Sequence, residues 1–141
     1  MKVGTALLCD FASVRDGLLF VVAGGVTRLW RDEYPAPMNV SLALMFEVHQ
    51  MEVPHPHEID VRVVGEDGQE IARAQGGFQA ALPPDIHMTE KLLVPVVLDV
   101  RQAGLPGPGA YSIEISVDGT HHQTVQFRAQ PREQQALPPG E

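Results

Sequence analysis

The stretch Asn39–His49, NVSLALMFEVH, alternates apolar and polar side chains with a period of two. Val40, Leu42, Leu44, Phe46 and Val48 fall on one side; Asn39, Ser41, Glu47 and His49 fall on the other. Successive side chains of an extended strand point to opposite faces, so the pattern dictates a strand with one face buried and one in water. The signature returns at His57–Val64, with Ile59, Val61 and Val63 inward, and at Tyr111–Val117, with Tyr111, Ile113, Ile115 and Val117 inward. Val3–Ala12, Leu18–Val22, Val26–Trp30 and Leu92–Val100 are further predicted strands. A turn is expected around Arg15-Asp16-Gly17, and a bulge or sharp bend at Gly24-Gly25. Pro95 cannot donate to a ladder, so its strand is expected at an edge or bulged there. Glu70–Phe78 reads as a strand or, over Glu70–Gln75, as a short helix.

No segment carries a clean helical period over about 11 residues, and turn residues recur about every 8–15 residues. The predicted fold class is all-β: a two-sheet antiparallel β-sandwich with immunoglobulin-like Greek-key connections and about eight or nine strands. In the last hairpin, pairing Val117 with Thr120 throughout would turn Val125 and Phe127 to solvent. A three-residue loop, Asp118–Thr120, or an equivalent bulge instead pairs Ile113 with Val125 and Tyr111 with Phe127. His121 and His122 then lie at the hairpin mouth on opposite faces. Gly109 and Tyr111, in GLPGPGAYSIEISVDG, match the tyrosine corner of immunoglobulin-like domains. Residues 1–129 form the single expected domain, and 130–141 a flexible proline-rich tail.

The segments ALLCDFASVRDGLLFVVAGGVTRLWR, YPAPMNVSLAL, PHEIDVRVVGEDG and LPGPGAYSIEISVDG resemble a family of small uncharacterised bacterial proteins, a domain of unknown function found mainly in actinobacteria. The resemblance spans residues 3–128. It implies a β-sandwich and brings no catalytic signature with it.

Charge narrows the functional classes. The chain of 141 residues has 18 acidic against 10 basic residues and a net charge of −8. Without a basic cluster there is nothing to track a nucleic-acid backbone or to dock on an anionic membrane. The apolar run Val3–Leu8 is shorter than the roughly 7–15 residues of a secretory h-region. A cytoplasmic protein is expected. Cys9, the only cysteine, alternates with Val3, Leu7 and Phe11 and reads as a buried structural thiol.

HQMEVPHPHEID, residues 49–60, raises the question of a metal site. A catalytic zinc needs about three converging ligands and a structural one about four. By alternation His49 points outward and His57 inward, from neighbouring strands of one sheet, while His55 stands between Pro54 and Pro56 in a loop. Two strand-end histidines and one loop histidine are therefore expected, with no metal and no cofactor; the alternative is a metal-dependent enzyme using the His49/His55/His57 region, with Glu52, His55 and His57 clustering as ligands in the loop. Glu47, Glu58 and Asp60 read as a solvated face with Arg62 as neighbour. Arg28, Trp30 and Tyr34, in VTRLWRDEYPAP, have the composition of a partner-binding patch; the competing reading puts Trp30 in the core with Arg28 over its edge. The expected function is a non-enzymatic interaction module that binds a protein or itself through loops or an edge strand. A small-ligand carrier is a further alternative, disfavoured by uniformly aliphatic inner faces.

Overall fold

The computed structural model describes residues 1–132, which form eleven strands and no helix. In chain order these are β1 (Lys2–Arg15), β2 (Leu18–Gly24), β3 (Arg28–Arg31), β4 (Ala36–Pro37), β5 (Ser41–Val48), β6 (His57–Gly65), β7 (Glu70–Phe78), β8 (Leu92–Asp99), β9 (Gly104–Leu105), β10 (Gly109–Val117) and β11 (Thr120–Pro131). One sheet has four strands in the order β2-β1-β5-β8, the other five in the order β3-β11-β10-β6-β7, and β4 pairs with β9. Every pairing is antiparallel except that of β11 with β3. Glu70–Phe78 is a strand throughout, and β8, which carries Pro95, lies at the edge of its sheet as expected.

The core is built from the residues that the alternation singles out. Leu42, Leu44, Phe46 and Val48 of β5 face Ile59, Val61 and Val63 of β6 and Ile113, Ile115 and Val117 of β10, all essentially without solvent contact. Phe46 stacks on Phe78 of β7, with ring centroids 5.4 Å apart. Tyr111 lies flat against Phe127 at 5.3 Å, and its hydroxyl donates to the Gly107 carbonyl, which closes the expected corner. The β10–β11 register pairs Tyr111 with Phe127 and Ile113 with Val125. The device is a bulge rather than a longer loop. Val117 does pair with Thr120, across a two-residue turn in which Asp118 and Gly119 have φ of 51° and 82°; the register then shifts between Ile115 and Ser116.

A second bulge changes the reading of β1. Lys2 and Val3 oppose Glu47 and Phe46, but from Thr5 onward the register against β5 has moved by one residue. Ala6 and Leu8 therefore join the core face, and Leu7, Cys9 and Phe11 turn to the outside of the sheet. Strict alternation from Val3 had placed Leu7, Cys9 and Phe11 inward. Beyond Cys9 the strand leaves β5 and pairs only with β2, up to a turn at Asp16 and Gly17, whose φ values of 52° and 74° suit a tight hairpin. This arm does not project straight out. Ala12 and Leu19 pack with Cys9, Ala43, Leu7 and Val97, so the arm curls over the outer face of its own sheet. That roof explains why Ser41, expected in water, is buried, as is Ala43 on the same face. Gly24 permits the close approach: a Cβ there would lie 2.8 Å from Val21 Cγ1 and 3.0 Å from Leu7 Cδ1.

Two further expectations are corrected. His49 and His57 follow and begin strands of different sheets, not neighbouring strands of one. Glu47 thus lies on the opposite side of the sandwich from Glu58 and Asp60, and Asp60 is held by Arg73 (2.8 Å to Nε), not Arg62. At the C-terminus, Gln130 and Pro131 continue β11 against Trp30 and Arg31, and the Arg132 N–H donates to the Arg31 carbonyl; the rest of the expected tail, 133–141, lies outside the described residues. The packing makes a differential prediction for two phenylalanines. Phe46→Ala should cost about 3–5 kcal/mol in urea unfolding. Phe11→Ala, on a side chain 53% exposed, should cost less than about 1 kcal/mol. Equal losses would contradict the placement of β1.

Candidate functional site

Of the three histidines in residues 49–60, His57 alone forms a structural clasp. His57, at the start of β6, is 8% exposed, and both ring nitrogens are engaged. Nδ1 lies 2.7 Å from Asp118 Oδ2, and Nε2 lies 2.7 Å from the Glu52 carbonyl oxygen. A carboxylate and a carbonyl only accept, so both contacts are satisfied together only by the doubly protonated imidazolium. Burial opposes that charge, but the hydrogen bonds to Asp118 and Glu52, with the nearby carboxylates, outweigh it and raise the His57 pKa above its ordinary value. The His57 hydrogen bond and the Glu58 N–H, 2.9 Å from Oδ1, hold the Asp118 carboxyl below its usual range.

The trio Glu52, His55 and His57 is not assembled as a ligand set. The Glu52 carboxylate turns to the α-amino group of Met1 (2.9 Å) and to the His49 N–H (3.1 Å), and His55 is exposed. Among the described residues no group of three His, Cys, Asp or Glu side chains is placed to hold a metal ion. Asp118, read from sequence only as a turn residue, is the partner that reasoning missed. It lies 61 positions from His57, and only the pairing of Val117 with Ile59 across β10 and β6 brings it there.

Arg28 and Trp30 do share the outer face of β3, while Leu29 between them enters the core. Trp30 is 40% exposed, which corrects the reading that buries it. Tyr34 does not join them. It packs against the core, and its hydroxyl donates to the Gln130 carbonyl at 2.8 Å. Arg28 also lines an open groove of about 520 Å³ together with Glu66, Ser112, Gln126 and Arg128.

Most of the exposed large apolar side chains among the described residues stand on the arm. Cross-strand pairing of Phe11 with Val22, Ser13 with Phe20 and Arg15 with Leu18 sets these side chains on one face. Phe11, Leu18, Phe20 and Val22 are 53, 63, 49 and 55% exposed. On the opposite face Ala12 and Leu19 pack on the sheet, while Val14 and Val21 remain exposed. β2 is also a free sheet edge, and its sequence LLFVVAG has neither charge nor proline to discourage pairing. The sequence reading took Leu18–Val22 as an ordinary strand. Its apolar residues on both faces, without alternation, were the available signal.

Fold and surface define an all-β sandwich protein that carries an apolar hairpin arm folded over one sheet. The chain belongs to DUF6941, a family of unknown function whose model matches residues 4–130. No curated protein matches the chain. A solved structure, the Pseudomonas fluorescens alkylpurine DNA glycosylase AlkC bound to DNA containing an abasic site analogue, aligns over 74% of this chain and 27% of its own at 13% identity and a TM-score of 0.42. A likeness at that level carries no functional argument. No helix of the described residues is long and apolar enough to cross a membrane.

The clasp predicts a pH dependence whose sign is fixed. A histidine with a raised folded pKa stabilises fully below its unfolded value of about 6.5, and that stability is lost as pH rises through the folded pKa. Asp118, with a lowered pKa, acts in the other direction only at the acid end, losing its contribution as pH falls through its folded value. The urea midpoint should therefore fall as pH rises from about 6 to 9, and the difference between wild type and His57→Gln, about 1–3 kcal/mol at the lower pH, should shrink over the same range. A pH-independent difference would remove the imidazolium from the account.

Proposed function

We propose that this protein is a non-enzymatic interaction module that works in the cytoplasm and engages a protein partner through the β1–β2 arm. The observation that carries the reading is the single arm face on which Phe11, Leu18, Phe20 and Val22 stand about half exposed. A soluble chain rarely keeps such a contiguous apolar face bare, and large ones mark contact sites. With β2 as an unblunted edge, the arm can offer main-chain hydrogen bonds beside its side chains. The lone, buried Cys9 accords with a reducing compartment. The order β1-β5-β8 over β11-β10-β6-β7, with the Tyr111 corner, supports an immunoglobulin-like Greek key as the scaffold. Arg28 with the exposed Trp30 offers a smaller second contact point.

A photo-cross-linking residue introduced at Phe20 should yield a protein adduct in the native cell, and one introduced at Arg62, exposed on the outer face of the other sheet and outside the Arg28 groove, should not. Val22→Asp in the same chain should abolish the adduct. No adduct from position 20, or equal adducts from both positions, would refute the reading.

A further inference from the structure

We infer that the open groove on the outer face of the five-stranded sheet binds a small phosphate monoester whose organic part carries hydroxyl groups. The groove lies on the other sheet from the arm, so the inference goes beyond the interaction reading and does not depend on it.

One row of residues across the strands makes the groove. Arg28 of β3 is in register with Arg128 of β11, and Arg128 with Ala110 of β10. Tyr111 pairs with Gly65 at the end of β6, so Glu66 comes next, opposite Ala110. Leu29, Tyr111, Phe127 and Ala129, their neighbours in sequence, are buried, which turns the row itself outward. Its order is therefore two long cations, one methyl group and one carboxylate. Ala110 cannot fill the space between its longer neighbours, and it lines the open volume of about 520 Å³ together with all three of them.

The two banks are unlike. Arg28 and Arg128 stand on adjacent strands, about 4.8 Å apart, and like charges placed directly opposite each other oppose folding. The guanidiniums of Arg31, Arg73 and Arg101 are engaged by carbonyls or a carboxylate. Among the described residues, neither Arg28 nor Arg128 has an ion-pair partner, in a chain with 18 acidic residues against 10 basic ones. Across Ala110, Glu66 is held in place. Its Oε1 accepts the Ala110 N–H at 2.6 Å, and a Cβ on Gly109 would lie 3.3 Å from that oxygen. Its second carboxylate oxygen remains to accept a hydrogen bond from a ligand.

These banks select the ligand. A carboxylate carries one charge, and a single guanidinium fork fills it. A phosphate monoester carries about −1.5 to −2 charge at pH 7 and three acceptor oxygens, enough for both forks. Gln126, two residues before Arg128 on the same outer face, adds an amide donor. The groove lies within the roughly 300–1,000 Å³ of small-molecule sites. Beyond the phosphate it leaves room for a polyol to extend over Ala110 and donate to Glu66. A nucleic-acid backbone offers singly charged diesters instead and takes a longer basic track than two arginines supply.

Isothermal titration of the full chain with glucose 6-phosphate tests the inference. The ester should bind with a dissociation constant of about 1 mM or tighter. Glucose should not bind, and gluconate, a polyol with a carboxylate in place of the phosphate, should bind at least about tenfold more weakly. Arg28→Gln and Arg128→Gln should each weaken the ester at least about tenfold. Their urea midpoints should match or exceed that of wild type, because either change relieves the repulsion between the pair. Arg62→Gln, on the same face but outside the groove, should bind as wild type does. Glu66→Gln should hold inorganic phosphate at least as tightly as wild type and lose most of the preference for the ester. No binding of the ester at about 10 mM, equal affinity for gluconate, or arginine variants that bind normally would each overturn the inference. So would arginine variants with a lowered urea midpoint, which would make the pair structural. A phosphoserine peptide that binds where the sugar phosphate does not would overturn it too, by assigning the groove to a protein. None of these outcomes alters the cross-linking at Phe20, on which the interaction reading is tested.

Discussion

One inserted residue in β1 governs much of this molecule. The register of β1 on β5 slips between Val3 and Thr5, and every side chain after that point changes sides. Leu8 reaches the core opposite Leu42, and in exchange Leu7 and Cys9 stand on the outer face beside Ala43 and Ser41. Such a row would be an exposed apolar band unless something covered it. The arm is that cover, and it fits because Ala43 and Gly24 are small where it comes down. The bulge and the arm are therefore one feature: the first creates the surface that the second protects, and the far side of the cover becomes the new apolar face.

The irregular parts of the chain are held by charged groups that reach for backbone carbonyls. Arg31 donates from its guanidinium to the carbonyls of Trp30, Pro37 and Met38, and so fastens the segment between β3 and β5. Arg101 binds the carbonyls of Asn39 and Asp10, the latter at the point where β1 leaves β5. His57 does the same for the turn before β6 through the Glu52 carbonyl. Carbonyls at these irregular places need donors from outside the ladders, and a planar fork or an imidazolium supplies several donors from one residue. Three cations thus substitute for the regular structure that these connections lack.

Period-two alternation made the sheets legible because a strand buried on one side must advertise it. Val40–Val48, Ile59–Val63 and Tyr111–Val117 were assigned to the correct faces on that basis alone. The hairpin register followed from the same demand, since Phe127 has to meet Tyr111. The rule failed in β1 because a bulge at Gly4 leaves no local mark that distinguishes it from an ordinary glycine. It failed again at Trp30, where the neighbouring Leu29 took the core position. The histidine clasp was half legible: alternation turned His57 inward, but its partner Asp118 arrives only through pairing between strands far apart in sequence. The arm was hidden for a related reason, as nothing in a strand's own composition tells whether the surface it covers belongs to its own sheet.

The roof over Cys9 has a chemical corollary. The thiol is fully shielded and touches the Ser41 carbonyl at 3.5 Å, and burial pushes its pKa up against the opposing pull of Arg101. A protonated, covered sulfur is inert to alkylating reagents. Its reactivity is thereby tied to the moments when the hairpin lifts, so the labelling rate of this one native atom is a clock for arm opening.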